Sequence, residues 1–286
     1  MIKKDTIKHM AEQWLPPIVI SSLRRHLARL RFHRYSDPKI LLQNKQLQDS
    51  GKGKRAFLLA TGPSIKDENL KVLQGEDCFS ISNFFLHEDI KVISPKIHFF
   101  APYHKPLILE NYIQWLQLAD QTLPETTQIC LEHDTKELVD QYKIFPKRKI
   151  WYLYFTQYPS SCAIDITKPI LSPQTGPLMI LPTLLYMRYE KIYLLGCDHN
   201  TLRFYKHTIK HFYNRKLDIR KNAADNLAWA NIIAEHQTSL NVFMQYQAYM
   251  QLMKKNDLNS QIINLSNDSW LDIFPYSRLK QLFPYD

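Results

Sequence analysis

The densest group of chemistry-bearing side chains follows a short apolar run, in KIYLLGCDHNTLRFYKHTIKHFYNRK (191–216). Gly196, Cys197, Asp198 and His199 close the run, and Arg203, Tyr205, Lys206, His207, Lys210, His211 and Tyr213 crowd what comes next. Cations and tyrosyl hydroxyls suit an anionic group such as phosphate. Imidazoles titrate near neutrality and can carry a proton to or from a reacting hydroxyl. Asp198, His199, His207 and His211 are also metal-ligand types, but no HExxH or comparable spacing accompanies them. A solvated polar loop without chemistry is the third reading. The stretch has no clear period, and loops of that length are usually lids or disordered.

Three further candidates follow apolar runs. In FLLATGPSIKD, Thr61-Gly62 makes a tight turn, Pro63 suits a first helical turn, and Thr61 and Ser64 can cap it or bind an oxyanion. This is neither GxGxxG nor a Walker loop, since no GK[ST] follows. In SISNFF, Asn83 can hold a base or ribose by donating and accepting at once. In SPQTGPLMILPTLLYM, Gln174, Thr175 and Gly176 open a helix and form a second anion-binding end. Tyr103 and His104 end HFFAPYHK in the same manner. For each of these, ordinary turn and cap formation is the plain alternative.

These residues need elements to position them. Short β-rich runs at 55–60, 77–82, 96–101, 127–131, 149–155, 191–196 and 261–265 alternate with helical stretches at 66–73, 105–119, 135–142, 176–186, 223–255 and 276–282. Several of the strands are continuously apolar, as when both faces of a parallel sheet are covered. The alternation implies an α/β, Rossmann-like, doubly wound and mostly parallel sheet, with a lid region after residue 196. Ligands of such sheets bind beyond the C-terminal ends of the strands, where all the candidates above fall.

Composition narrows the classes. In 286 residues, 45% apolar and 12% aromatic residues exclude global disorder. No run approaches the roughly 20 apolar residues of a membrane span, and the sequence predicts no secretory signal. Cys78, Cys130, Cys162 and Cys197 stand far apart without CxxC, which suits reduced, mostly buried thiols of a cytoplasmic protein.

Net charge is +10, and residues 1–55 carry nearly all of it, with 13 Lys/Arg against 4 Asp/Glu. The neutral remainder argues against a nucleic-acid groove across the large domain. In IVISSLRRHLARLR (18–31), Leu23, Leu27 and Leu30 recur at i, i+4 and i+7 with Arg24, Arg25, Arg29 and Arg31 largely off that stripe. The pattern fits a basic amphipathic helix on an anionic membrane surface, peripheral to the inner face of the cell membrane. A helix packed on its own domain with a solvated basic face is the other reading. Residues 36–54 are polar and end in Gly-Lys-Gly, which reads as a linker. The expected division is a basic extension and linker at 1–50 and a Rossmann-like domain at 51–286.

TGPS after the first strand, SN after the second, QTG opening a helix, and KIYLLGCD followed by a polar lid together resemble one family group. The chain resembles the bacterial lipooligosaccharide sialyltransferases that use CMP-activated sialic acid, and the related 6-hydroxymethylpterin pyrophosphokinase-like glycosyltransferase domains. The resemblance spans roughly residues 55–270. It implies that Thr61, Gly62, Pro63 and Ser64 hold the nucleotide phosphate and that Asn83 contacts ribose or sugar. Gln174, Thr175 and Gly176 would line the donor site with Asp198 and His199, Tyr205 and Tyr213 would touch the departing phosphate, and His211 would be the general base. Distance to the last strand equally allows His236. The implied reaction moves a sialic-acid-like nonulosonate from a CMP donor to a cell-surface glycan, lipopolysaccharide or capsule acceptor, with no cofactor and no metal. A magnesium-dependent pterin diphosphate transfer and a non-catalytic, membrane-associated nucleotide-binding protein are the alternatives.

Overall fold

Five-residue runs such as Arg-Ala-Phe-Leu-Leu have no polar face to give to water, so they fold where both faces can be covered. The computed structural model describes residues 16–35, 37–159, 164–220 and 229–284. The strands are β1 (Arg55–Leu59), β2 (Asp77–Ile81), β3 (Ile97–Phe99), β4 (Gln128–Glu132), β5 (Ile150–Leu153), β6 (Phe155–Thr156), β7 (Ile170–Leu171), β8 (Lys191–Leu195) and β9 (Gln261–Asn264). The helices are α1 (Pro17–Tyr35), α2 (Pro38–Leu42), α3 (Ile90–Ile93), α4 (Leu109–Thr122), α5 (Lys136–Tyr142), α6 (Pro177–Tyr186), α7 (Ile232–Lys255) and α8 (Leu279–Leu282). No helix among the described residues is long and apolar enough to cross a membrane.

Seven strands form one parallel sheet in the order β5-β4-β3-β2-β1-β8-β9. Alternate residues of each strand feed opposite layers. In β1, Ala56 and Leu58 join the layer covered by α6 and α7, whereas Phe57 and Leu59 join the layer of Trp115, Leu116 and Ala119 from α4. The sheet is the expected Rossmann-like, doubly wound α/β architecture. The chain steps one way from β1 to β5, then returns to pair β8 on the other side of β1 in register Arg55↔Lys191 to Leu59↔Leu195. That reversal opens a crevice between the C-terminal ends of β1 and β8.

Each of the seven expected strands is present to within two or three residues. The helix expected at 66–73 is two 3₁₀ turns, Pro63–Asp67 and Leu70–Leu73, separated by extended Glu68 and a side-chain cap from Asn69 to Lys71. The helix expected from 105 begins at Leu109, because Pro106 disfavours a helical residue before it and offers no N–H. The expected linker is also corrected in part. Leu41 and Asn44 are fully buried, and Asn44 Nδ2 donates to the carbonyls of Tyr152 and Ile166, so polar composition conceals a packed segment. The thiols of Cys78, Cys130 and Cys197 are free and buried, and Cys162 lies outside the described residues.

Candidate functional site

A cavity of about 360 Å³ occupies the crevice between β1 and β8. Its floor is made where the two strand ends cross. Ala60 N donates to the Leu195 carbonyl and Gly62 N to that of Gly196, both at 2.9 Å, so pairing continues past the strands. Glycine is required at both crossing points. A Cβ on Gly62 would lie 2.5 Å from the Gly196 carbonyl oxygen and 2.6 Å from Asp198 Cγ. Gly196 has φ +68°, and a Cβ there would come within 2.6 Å of Ile65 Cδ1 and 2.8 Å of the Ala60 carbonyl oxygen.

Asp198 locks the crossing. Its Oδ2 accepts the Ser64 N–H at 3.0 Å and its Oδ1 accepts the Ser64 hydroxyl, so the carboxylate caps the Pro63–Asp67 turn from the neighbouring strand. Burial pushes the Asp198 carboxyl up, the Ser64 hydrogen bonds oppose that, and the Asp268 charge adds to the rise. The segment after β9 braces the same loop from behind. Ser266 Oγ accepts the Cys197 N–H at 2.8 Å, and Trp270 N donates to the Asp198 carbonyl at 2.9 Å.

A second wall comes from the ends of β2 and β3. Ser82 lines the cavity in the left-handed region, φ +59°. His98, fully buried beneath it, holds that conformation. Its Nε2–H donates to the Ser82 carbonyl at 2.9 Å, which leaves Nδ1 to accept the Ser80 hydroxyl at 2.7 Å. Burial pushes the His98 imidazole down to about 3, outweighing the Ser82 bond, so the ring stays neutral.

The third wall is the first turn of α6 with Thr175 and Gly176 before it and Pro177 at its first position. Pro177 has no N–H, and those of Leu178 and Met179 donate back to the Thr175 and Gly176 carbonyls at 3.1 and 2.9 Å, so the N–H groups of Thr175 and Gly176 are what this partly positive end offers an anion. Gln174, at the cavity mouth, is held by Gln245, whose Oε1 accepts its backbone N–H at 2.8 Å while Nε2 donates to the Ser172 carbonyl.

The long polar stretch closes the fourth side. Phe204, Ile209, Lys210 and His211 reach the cavity, and Phe212 N donates to the Thr61 carbonyl at 3.3 Å. The His211 ring stacks on Tyr213, centroids 5.0 Å apart and 6° from parallel. Burial pushes the His211 imidazole down; the Thr61 backbone and Asp218 oppose this, and Arg220 and Arg215 reinforce it. The ring is therefore neutral near pH 7 and able to accept a proton. Asp218 is held below its usual range because Arg220 bonds it at 2.8 and 3.0 Å, against the effect of burial, and the Arg220 guanidinium lies 4.0 Å over Trp115.

The structure thus gathers Thr61, Gly62, Pro63, Gln174, Thr175, Gly176, Asp198, His199 and His211 around one cavity. Other expected site residues lie elsewhere. Ser64 sits behind the wall, paired with Asp198. Asn83 is fully buried, accepts Trp115 Nε1–H at 2.6 Å, and influences Tyr213 and Asp218 from beneath the lid without a hydrogen bond of ordinary geometry at its Nδ2. Tyr205 packs edge-on to Trp229. Tyr213 supports His211 rather than lining the cavity. Of the two candidate bases, His211 lines the cavity, whereas His236 is exposed on α7, its Nδ1 2.9 Å from the Ile232 carbonyl oxygen of its own helix. His199, φ +47°, shares a 2.9 Å hydrogen bond with the Tyr246 hydroxyl, and burial pushes it down to about 4. With Asp198 and His199 committed in this way, the four ligand types do not converge. No group of three or more metal-ligand side chains forms among the described residues.

Sequence reasoning missed Ser82, Phe204 and the α7 residues Thr238, Ser239, Val242 and Phe243, and named Lys210 only as one of several cations. The i, i+3, i+4 spacing of Ser239, Val242 and Phe243 marks one helical face, but nothing local says that this face covers a cavity.

No protein-family model matches the chain, and no curated protein matches it in sequence. Among solved structures it is similar to the monofunctional α-2,3-sialyltransferase Cst-I of Campylobacter jejuni, at 21% identity and TM-score 0.47 over 78% of this chain and 80% of that one. It is also similar to the sialyltransferase CstII of that organism in complex with a substrate analogue, cytidine-5′-monophosphate, at 18% identity and TM-score 0.44 over 78% and 84%. A further match is CST-II with a trisaccharide acceptor and CMP, at 18% identity and TM-score 0.43 over 78% and 85%.

Proposed function

We propose that the chain is a glycosyltransferase that moves a sialic-acid-like nonulosonate from a CMP donor to a glycan acceptor, such as a lipopolysaccharide or capsule sugar, with His211 as general base and without a metal. The observation that carries this reading is the pairing of Lys210 and a neutral His211 with the first turn of α6 around one cavity. An acceptor hydroxyl would lose its proton to the His211 imidazole while its oxygen attacks the anomeric carbon. The bond from that carbon to the phosphate oxygen would break, and CMP would leave with the bonding pair. The N–H groups of Thr175 and Gly176 ahead of α6 and the Lys210 ammonium would hold the growing negative charge. Phe204, Ile209, Val242 and Phe243 would exclude water from the reacting carbon.

The Pro63–Asp67 turn is a weaker phosphate holder than the TGPS sequence suggests, because Asp198 already occupies its leading N–H and the Ser64 hydroxyl. Asp198 is also the single carboxylate among the described lining residues, so the acidic pair that would hold magnesium for a diphosphate transfer is lacking. A phosphate monoester leaving group needs less neutralisation than a diphosphate and suits this wall. The test is release of CMP from CMP-sialic acid with a chelator present. Turnover that persists in chelator supports the reading. Turnover restored only by magnesium overturns the metal-independent mechanism, and none under either condition, or with added glycan acceptors, overturns the donor.

A further inference from the structure

We propose that α1 is a docking face for an anionic lipid bilayer, independently of what the cavity does. An ordinary surface helix turns its large apolar side chains toward the domain. Helix α1 turns them away. Its contact with the domain is made by Phe32, edge-on to Tyr154 at 4.9 Å, by half-buried Ala28, and by Arg24, whose guanidinium lies 5.6 Å over the Tyr158 ring. On the opposite side, Leu23, Leu27 and Leu30 are 52%, 56% and 52% exposed, with Val19 continuing the stripe. Four-, four- and three-residue steps from Val19 keep this row on one line of the helix.

The helix carries five arginines and no acid. Helical spacing sets Arg34 nearly in line with the leucine row, Arg24 and Arg31 along one flank and Arg29 along the other, with Arg25 on the side of Phe32. This pairing of features selects the occupant. A second copy of the helix would bring arginines against arginines with no carboxylate on the helix to answer them. A nucleic acid or an acidic polypeptide would satisfy the arginines but leave the leucines in water. An anionic bilayer takes both, with leucines entering the acyl boundary and arginines meeting lipid phosphates. Tyr154 and Tyr158 follow the C-terminal end of β5, so the docking face belongs to the same end of the sheet as the cavity.

The experiment uses the full chain in co-sedimentation with vesicles of phosphatidylcholine alone or phosphatidylcholine with phosphatidylglycerol. Two variants are compared, Leu23→Ser/Leu27→Ser/Leu30→Ser and Arg29→Gln/Arg31→Gln/Arg34→Gln. All six side chains are exposed, and unchanged circular dichroism and melting would verify that the fold is intact. Wild type should bind the anionic vesicles, more weakly as salt rises, and each variant should bind about tenfold or more weakly. Failure of the wild type to sediment, equal binding to phosphatidylcholine alone, or a serine variant that binds as wild type does would each overturn the proposal. So would a concentration-dependent dimer that the serine variant loses while vesicles are ignored.

Discussion

Two walls of the same cavity are built in opposite ways. The crossing of Ala60–Ser64 with Gly196–His199 is backbone against backbone, with two glycines that tolerate no Cβ and a carboxylate spanning the loops. The stretch from Phe204 to Arg220 has only the 3₁₀ turns Thr201–Phe204 and Arg215–Leu217, and it is tied down by rings: Phe212 against Phe84 and His87, Tyr213 against Phe212, Arg220 over Trp115. The first wall has one arrangement available to it. The second is held by aromatic contacts, a 3.3 Å backbone bond from Phe212 to Thr61 and the Trp229 Nε1–H, which donates to the His207 carbonyl at 2.7 Å. Fixed geometry belongs to the strand ends, and the proposed proton acceptor, His211, rides on the stretch with fewer backbone ties, as a lid that admits substrate and excludes water would require.

Substitutions separate the two walls. The largest effect is expected at His211. Its replacement by Ala should lower kcat by about 10²–10⁴-fold with little change in melting, since it removes a base from a lid. His236→Ala should stay near wild type in the same CMP-release assay; a dead His236→Ala beside an active His211→Ala would assign the role to α7.

On the rigid wall, the effect should appear in stability first. Gly62→Ala forces a Cβ onto backbone that cannot yield and should cost roughly 1–3 kcal/mol, toward the upper end, read from urea unfolding. A variant as stable as wild type would mean that the crossing is looser than its distances.

His98 supplies a pH test. Its folded pKa is depressed, so the unfolded chain takes up the proton first. The stability it contributes is full above about 6.5 and is lost as pH falls toward 3. Between pH 7 and pH 5 the loss is about 2 kcal/mol. His98→Asn cannot lose it, so the cost of that substitution should shrink by that amount at pH 5; a cost independent of pH would contradict a neutral, buried His98. Glu132, which burial pushes up to about 7, responds in the opposite sense in both proteins and cancels from the comparison.

The smallest effect is expected away from both walls. Gly75 has φ +82° but open space around it, so Gly75→Ala should cost about 1 kcal/mol from backbone strain alone and leave turnover unchanged.

The sheet was legible because its strands are covered on both faces and therefore read as apolar runs, and the switch point followed from reading what comes after each run. Thr61–Pro63, Thr175–Gly176 and His211, singled out in this way, line the cavity. Ser64 and Asn83 were misjudged for one reason: a polar residue at a strand end offers the same hydrogen-bonding groups to a ligand as to the protein, and only tertiary contacts with Asp198 and Trp115 decide between them. Lys210 was one cation among several, with nothing local to select it. Leu41 and Asn44 stayed hidden because a buried asparagine answered by two carbonyls has no sequence signature.

The central claim is that the phosphate of a nucleotide monophosphate binds between α6 and Lys210. Calorimetric titration of CMP, with cytidine as the control lacking phosphate, tests it most directly in wild type and Lys210→Glu. Lys210 is exposed, so the charge reversal leaves the fold intact. The account predicts one CMP per chain, weakened about tenfold or more by Lys210→Glu, with cytidine binding far more weakly and insensitive to the change. Equal CMP affinity in the two proteins, or no binding of CMP to wild type, would contradict it.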